Sequence, residues 1–101
     1  MQEKTGTVKI PLLNAAEGLA VFGPQDKYLR QVESGTNAEI RSRDAEIVII
    51  GPERELASLE QLYTVLLQLV RGGYNPSERD IAYALELARD LQADELLDLF
   101  K

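Results

Sequence analysis

The sequence contains no cysteine and no histidine, and each absence excludes a kind of chemistry. Without cysteine there are no disulfides, no thiolate nucleophiles and none of the usual zinc sites. Without histidine the commonest general base and most transition-metal sites are also missing. The composition therefore predicts that this chain is not an enzyme and binds no cofactor of its own.

Long apolar runs are also absent, and none approaches the length of a membrane-spanning helix. The first residues, MQEKTGTVKIP, lack the apolar core of a signal peptide. Lack of cysteine fits a reducing compartment. We therefore expect a soluble, cytoplasmic protein with no membrane partner. Its 101 residues suffice for one hydrophobic core.

Positive charge is scarce, because 11 lysines and arginines face 17 acidic residues and the net charge is −6. This balance argues against strong nonspecific attraction to nucleic acid. Most of the acidity lies in residues 44–101, whereas residues 23–43 carry four basic residues against three acidic ones. That segment is the only locally basic part of the chain. Four scattered bases make a thin patch that is typical of a solvated surface.

Apolar periodicity predicts the order of the secondary structure. In chain order the segments are a strand at 7–12, a helix opened by Asn14 and Glu17, a helix opened by Asp26, strands at 38–43 and 46–50, a long helix ending at Arg71, and a helix opened by Ser77 and Asp80. The order is β-α-α-β-β-α with one or two extra helices. It predicts a two-layer α+β domain in which helices cover one face of a three-stranded sheet.

Several finer expectations follow from the same patterns. The first helix should turn Ala16, Leu19, Ala20 and Phe22 inward. Asp26 should cap the second helix, and Gly51-Pro52 should end the third strand.

The turn between the first two helices reads Gly23-Pro24-Gln25-Asp26. A glycine-led turn in this position resembles the GXXG loop of type I KH domains, whose backbone presses against four nucleotides. Here Asp26 stands where the last glycine would be. A carboxylate about 5 Å from a phosphate costs about 3 kcal/mol at an effective dielectric near 20. The turn is therefore open to three interpretations: a helix cap, a phosphate cradle, or a contact with another surface.

A second resemblance covers nearly the whole chain. Residues 21–33, VFGPQDKYLRQVE, are similar to the LFGPxDxxLxxxE stretch of PhoH-like proteins. The segments EIVIIG, LVRGG and SERDIAYA follow in the same order at 46–51, 69–73 and 77–84. In that family the aspartate of the turn is the normal residue. The polar stretch Thr36-Asn37-Ala38 departs from the more apolar entry expected there.

PhoH-like proteins are cytoplasmic P-loop ATPases linked to phosphate starvation and RNA metabolism. The resemblance implies that residues 1–71 form a KH-like domain and that residues 72–101 form a helical extension leading to an ATPase domain. The phosphate-binding pattern GxxxxGK[ST] is absent from this sequence. ATP and Mg²⁺ are therefore expected only in a downstream domain.

The resemblance also implies a non-catalytic accessory domain that binds single-stranded RNA weakly. The residues predicted to bind RNA are Gly23, Pro24, Gln25, Asp26, Lys27, Tyr28, Arg30, Arg41 and Arg43. The alternative is a protein-interaction domain that packs beside the ATPase domain or forms homo-oligomers. It would use the acidic helices and an apolar patch of Leu96, Leu97 and Phe100. The acidic residues Asp94, Glu95 and Asp98 are predicted to be a solvated helix face and not a metal site.

Overall fold

The computed structural model describes residues 4–90. Its elements are β1 (Thr5–Pro11), α1 (Ala15–Phe22), a 3-10 turn (Pro24–Asp26), α2 (Lys27–Ser34), β2 (Glu39–Arg43), β3 (Glu46–Pro52), α3 (Glu53–Arg71) and α4 (Glu78–Asp90). The predicted α+β fold and its order of elements are confirmed. No helix among residues 4–90 is long and apolar enough to cross a membrane.

The sheet has β3 at its centre, with β1 and β2 antiparallel on either side. β3 takes the central position because its β-branched residues are buried on both faces: Ile47 and Ile49 are 0% exposed and Val48 is 8% exposed. β2 and β3 are joined by Asp44 and Ala45, which both have positive φ. Such a two-residue turn matches the twist of the strands it joins.

The predicted end of the third strand at Gly51-Pro52 is confirmed, although both residues belong to the strand. β3 continues to Pro52, and α3 begins at the next residue. The strand continues because β1 runs beside it to the end, pairing Gly6 with Gly51 and Thr5 with Pro52. The N–H of Glu53 then donates to the carbonyl of Lys4 at 2.9 Å, which ties the start of α3 to the sheet.

The helices cover one face of the sheet, as predicted. α3 packs across β1 and β3, α1 and α4 contact α3, and α2 contacts β2 and α4. The apolar stripe of α4 is buried: Ile81, Ala84, Leu85 and Ala88. These side chains belong to the same core cluster as those of α3. The predicted boundary after residue 71 remains a prediction.

The orientation predicted for α1 is wrong for Ala16 and Leu19 and right for Phe22. Leu19 is 73% exposed and Ala16 is exposed, whereas Glu17 is buried together with Phe22. The reason is that Arg71, at the end of α3, binds the carboxylate of Glu17 and turns that side of the helix inward. The outer face of α1 is left apolar.

Candidate functional site

A groove of about 360 Å³ lies between α1, the turn after it and the β2–β3 hairpin. One wall consists of apolar residues from α1 and the segment before it: Leu12, Ala15, Gly18, Leu19 and Phe22. Ser42 and Ala45 of the hairpin complete the lining, and Asp26 is its only charged member within residues 4–90. The groove therefore combines apolar surface with one carboxylate and one hydroxyl.

The turn that borders the groove uses most of its own N–H groups. Gly23 N–H donates to Leu19 at 3.0 Å, and Asp26 N–H donates to Gly23 at 3.2 Å. Lys27 N–H donates to the carbonyl of Pro24, which has no N–H itself. Because these donors are engaged within the turn and the end of α1, little of the turn's backbone can hold a phosphate.

The prediction that Asp26 caps α2 is wrong. Asp26 occupies the N-cap position, but its φ of 60° and ψ of 28° are left-handed and its side chain makes no capping hydrogen bond. A capping residue normally has extended backbone, which directs its oxygen to the N–H groups of the first turn. The left-handed backbone leaves the exposed carboxylate at the groove instead.

Tyr28 fastens the turn to the rest of the domain. Its ring lies directly on Gly23, so that a Cβ added to Gly23 would lie 2.6 Å from two ring atoms. The half-buried ring also packs against the hydrophobic core. Part of the surface predicted to contact RNA is therefore used for packing.

Lys27 lies on the side of α2 that faces α4. Its Nζ is 2.9 Å from a carboxylate oxygen of Glu78, and this hydrogen bond raises the pKa of Lys27. One turn later, Gln31 donates to the carbonyl of the same Glu78 at 3.1 Å. Both charged side chains are more than half exposed, so the pair stabilises the fold only weakly. The contact nevertheless places Lys27 away from β2.

Arg30 lies between the α4 side and the β2 side of α2. It follows Lys27 by three residues and precedes Glu33 by three, and residues three or four apart are neighbours on a helix. Glu33 contacts β2, because its carboxylate accepts the N–H of Ile40 at 2.8 Å. Arg30 is exposed, and no carboxylate among residues 4–90 pairs with it. It differs in this from Lys27, which is paired with Glu78.

Arg41 and Arg43 lie on the other face of the sheet from the groove. Side chains alternate along a strand, so Ile40 and Ser42 share the helical side and the two arginines share the open side. Arg41 is bound by Glu39, with Nη2 and Oε1 2.6 Å apart, and this contact raises its pKa. The structure therefore does not bring Arg41 and Arg43 together with the turn.

The groove also uses residues that were not predicted. The exposed apolar surface of α1, with Ala15 and Leu19, and the hydroxyl of Ser42 were missed. One signal was present in the sequence: α1 contains a single charged residue, Glu17. If the one charged residue of such a helix faces inward, the side of the helix that faces solvent is left with apolar residues.

Glu17 and Arg71 hold this wall of the groove in place. Arg71 donates from Nε and Nη2 to the two carboxylate oxygens of Glu17, at 2.6 and 3.1 Å. Leu13 N–H also donates to the carboxylate at 2.7 Å, and Asn14 accepts from Glu17 N–H at 3.1 Å, which confirms the predicted capping pair. The hydrogen bond from Arg71 is the main cause that lowers the pKa of Glu17.

We expect Glu17→Gln to lower the melting temperature at neutral pH. A carboxyl whose pKa is lower in the folded state stabilises the protein above its unfolded pKa, and this stabilisation is lost as pH falls through the folded pKa. Thermal unfolding should therefore show a difference of several degrees at pH 7 that shrinks in strong acid. The same change at the exposed Glu60 is the control. A difference that is independent of pH would contradict the role given to Glu17.

No group of three acidic side chains in residues 4–90 is arranged to hold a metal ion. The predicted acidic cluster of Asp94, Glu95 and Asp98 lies outside the described residues. So does the predicted apolar patch of Leu96, Leu97 and Phe100.

The chain is 36% identical over 78 residues to a PhoH-like protein of Bacillus subtilis (strain 168). The resemblance to PhoH-like proteins is confirmed. The match covers 77% of this chain and 24% of that PhoH-like protein, so the chain spans about a quarter of its relative. No protein-family model and no solved structure matches the chain. The partial match fits an accessory domain of a PhoH-like protein.

Proposed function

We propose that this chain is a non-catalytic accessory domain of a cytoplasmic PhoH-like ATPase and that it binds single-stranded RNA weakly. The observation that carries the proposal is the groove of about 360 Å³ beside the glycine-led turn. Its apolar wall suits the flat faces of unstacked bases, which are the part of single-stranded RNA that proteins commonly recognise. ATP and Mg²⁺ would bind to a part of the PhoH-like protein that this chain does not contain.

The groove favours contacts with bases over contacts with phosphates. The turn uses most of its N–H groups internally, and Asp26 repels phosphate. Arg30 is the cation available to offset that repulsion, since it is exposed and no carboxylate among residues 4–90 pairs with it. One phosphate contact gives a slope of about −0.7 for the logarithm of affinity against the logarithm of salt concentration. Binding should therefore be weak and only moderately sensitive to salt.

Charge-matched variants of the two cations of α2, one paired and one not, test this proposal. We expect Arg30→Gln to weaken RNA binding about fivefold, equivalent to about 1 kcal/mol, and to flatten the salt dependence. Lys27→Gln removes the same charge but lies toward α4, where Glu78 already pairs it. It should leave affinity nearly unchanged. Fluorescence anisotropy of a labelled single-stranded RNA at low salt measures both variants.

Two outcomes of this experiment would contradict the proposal. Equal losses in the two variants would mean that RNA meets only the overall charge of the helix. No change in anisotropy with the unmodified chain, even at high protein concentration, would exclude RNA binding altogether.

A second candidate function is protein interaction, and the outer surface of α1 favours it. Leu13 and Leu19 are each 73% exposed, and the adjacent groove has one charged residue, Asp26, among the described residues that line it. Exposed apolar surface of this kind is typical of contact sites. The partner would be a second copy of the chain or the ATPase part of the PhoH-like protein. Sedimentation velocity should then detect an assembly that Leu19→Ser disrupts, with or without that ATPase part. A monomer with both preparations would exclude this function.

A further inference from the structure

We infer that Asp26 makes the groove select guanine among the four RNA bases. The inference rests on the proposed RNA-binding function and specifies the ligand of the same groove. It depends on the conformation of one residue and on the hydrogen-bonding edges of the bases.

The carboxylate of Asp26 is available to a ligand. Its left-handed backbone keeps it from capping α2, and no hydrogen bond or ion pair joins it to another residue in 4–90. It lines the groove, as does Ser42. An ionised carboxylate has two oxygens that only accept hydrogen bonds, whereas a hydroxyl both donates and accepts. Asp26 therefore discriminates between ligand edges, and Ser42 does not.

Guanine is the base whose Watson–Crick edge matches a carboxylate. It presents two neighbouring donors, N1–H and the 2-amino group, which can meet the two oxygens in parallel. Cytosine and adenine present one amino group beside a ring nitrogen that accepts, and uracil presents one N–H between two carbonyl oxygens. Paired charge-assisted hydrogen bonds are stronger and more specific than single ones. The expected order is guanine first and uracil last.

The size of the groove suits the binding of a single nucleotide base. A volume of about 360 Å³ is near the lower end of the range for ligand pockets, about 300 to 1,000 Å³. Leu19 and Phe22 provide an apolar wall for one face of the base. Arg30 is exposed on α2, four residues after Asp26 in the sequence, and offers a cation to a neighbouring phosphate. One base can thus be read while the rest of the strand stays outside.

The test uses labelled hexamers of uridine in which one central base is guanine, hypoxanthine, adenine, cytosine or uracil. Anisotropy with the full chain should give about tenfold tighter binding for guanine than for uracil. Hypoxanthine lacks the 2-amino group of guanine and should fall between the two.

The variant Asp26→Asn separates two effects of Asp26: recognition of the base and electrostatic repulsion of the RNA phosphates. Asparagine keeps the size of the side chain and tolerates left-handed backbone. Guanine preference should fall below about twofold, while affinity for the all-uridine hexamer rises because one negative charge is gone. Asp44→Asn is the matched control, since Asp44 also has positive φ and carries the same charge. It should leave the preference for guanine unchanged.

Each outcome assigns a failure to one proposal. Equal binding of all hexamers, or a guanine preference that survives Asp26→Asn, overturns the selection of guanine and leaves RNA binding standing. No binding of any hexamer overturns the RNA-binding function itself and favours protein interaction.

Discussion

Replacing Gly23 by alanine is expected to lower the free energy of unfolding by about 3 kcal/mol, through two separate costs. Gly23 has φ 79° and ψ 176°, a backbone region that glycine occupies almost alone. The added Cβ would also lie 2.6 Å from two ring atoms of Tyr28 and 2.9 Å from a third. The ring cannot easily retreat, because it is packed against the core.

Urea unfolding of three variants separates the two costs. Gly73 also has positive φ, at 96°, but nothing lies within 4 Å of an added Cβ. Gly73→Ala should therefore show the backbone cost alone, about 1 kcal/mol. In a Tyr28→Ala background, Gly23→Ala should lose the steric part of its effect. If Gly23→Ala differed from the unmodified chain by less than about 0.5 kcal/mol, the turn would have a different conformation from the one described here.

The same turn links stability to the proposed function. Gly23 allows the chain to leave α1 with positive φ, and Gln25 and Asp26 follow in left-handed conformations. The backbone of Asp26, and so the position of its carboxylate, depends on this succession. A variant that strains the turn should therefore weaken RNA binding as well as the fold. Asp26→Asn should change binding with little effect on unfolding.

Much of the fold could be predicted from the sequence, because local patterns specify it. The apolar stripe of α4 marks its buried face, and the stop of α2 at Gly35 follows from a C-terminal glycine. The β2–β3 hairpin follows from an alternating run and a β-branched run that are separated by a short turn. In each case the residues that decide the structure are close together in the chain.

The orientation of α1 could not be predicted because a distant residue decides it. Arg71 lies 54 residues after Glu17, and their ion pair turns the one charged residue of α1 inward. The conformation of Asp26 could not be predicted either, although the residues that decide it are close in the chain. An aspartate before a helix is usually a cap, but here the geometry of the tight turn gives it left-handed backbone. Helix periodicity alone predicts neither the Glu17–Arg71 ion pair nor the left-handed backbone of Asp26.

The candidate site was predicted in part. The turn was predicted because glycine and proline mark it. The apolar wall on α1 was missed because Leu19 was predicted to face inward. Alternation along β2 already separates Ser42 from Arg41 and Arg43, but it does not say which side the helices cover. Packing decides that Ser42 faces the groove.

Charge pairing makes recognition of an RNA base more favourable for this domain than recognition of the phosphate backbone. Cations of the described chain are paired with carboxylates: Lys27 with Glu78, Arg41 with Glu39, Arg54 with Glu55 and Arg71 with Glu17. A net charge of −6 adds to this disadvantage for phosphate binding. A domain with this electrostatic balance gains little by binding the RNA backbone, so an apolar groove with one carboxylate is better suited to reading a base.

Gly51→Ala is expected to lower the free energy of unfolding by about 2 to 3 kcal/mol, although Gly51 does not have positive φ. The cost is steric alone. An added Cβ would lie 2.9 Å from the Cβ of Ala38 and 3.0 Å from its Cα. The backbone beside it is held in place, because Glu55 accepts two hydrogen bonds from Asn37, at 2.9 and 2.8 Å. Ala38 therefore has little freedom to move away.

Chemical denaturation of two further variants tests whether this contact is the cause. Gly72→Ala is the matched control, because Gly72 has φ −86° and its nearest neighbours lie at an ordinary 3.5 Å. It should be nearly neutral. Ala38→Gly removes one of the two close atoms and should restore about half of the stability lost in Gly51→Ala, because the Cα remains. Equal stability of the Gly51 and Gly72 variants would contradict this prediction. It would mean that β2 and β3 can separate at this end and that Ala38 can move away from the added Cβ.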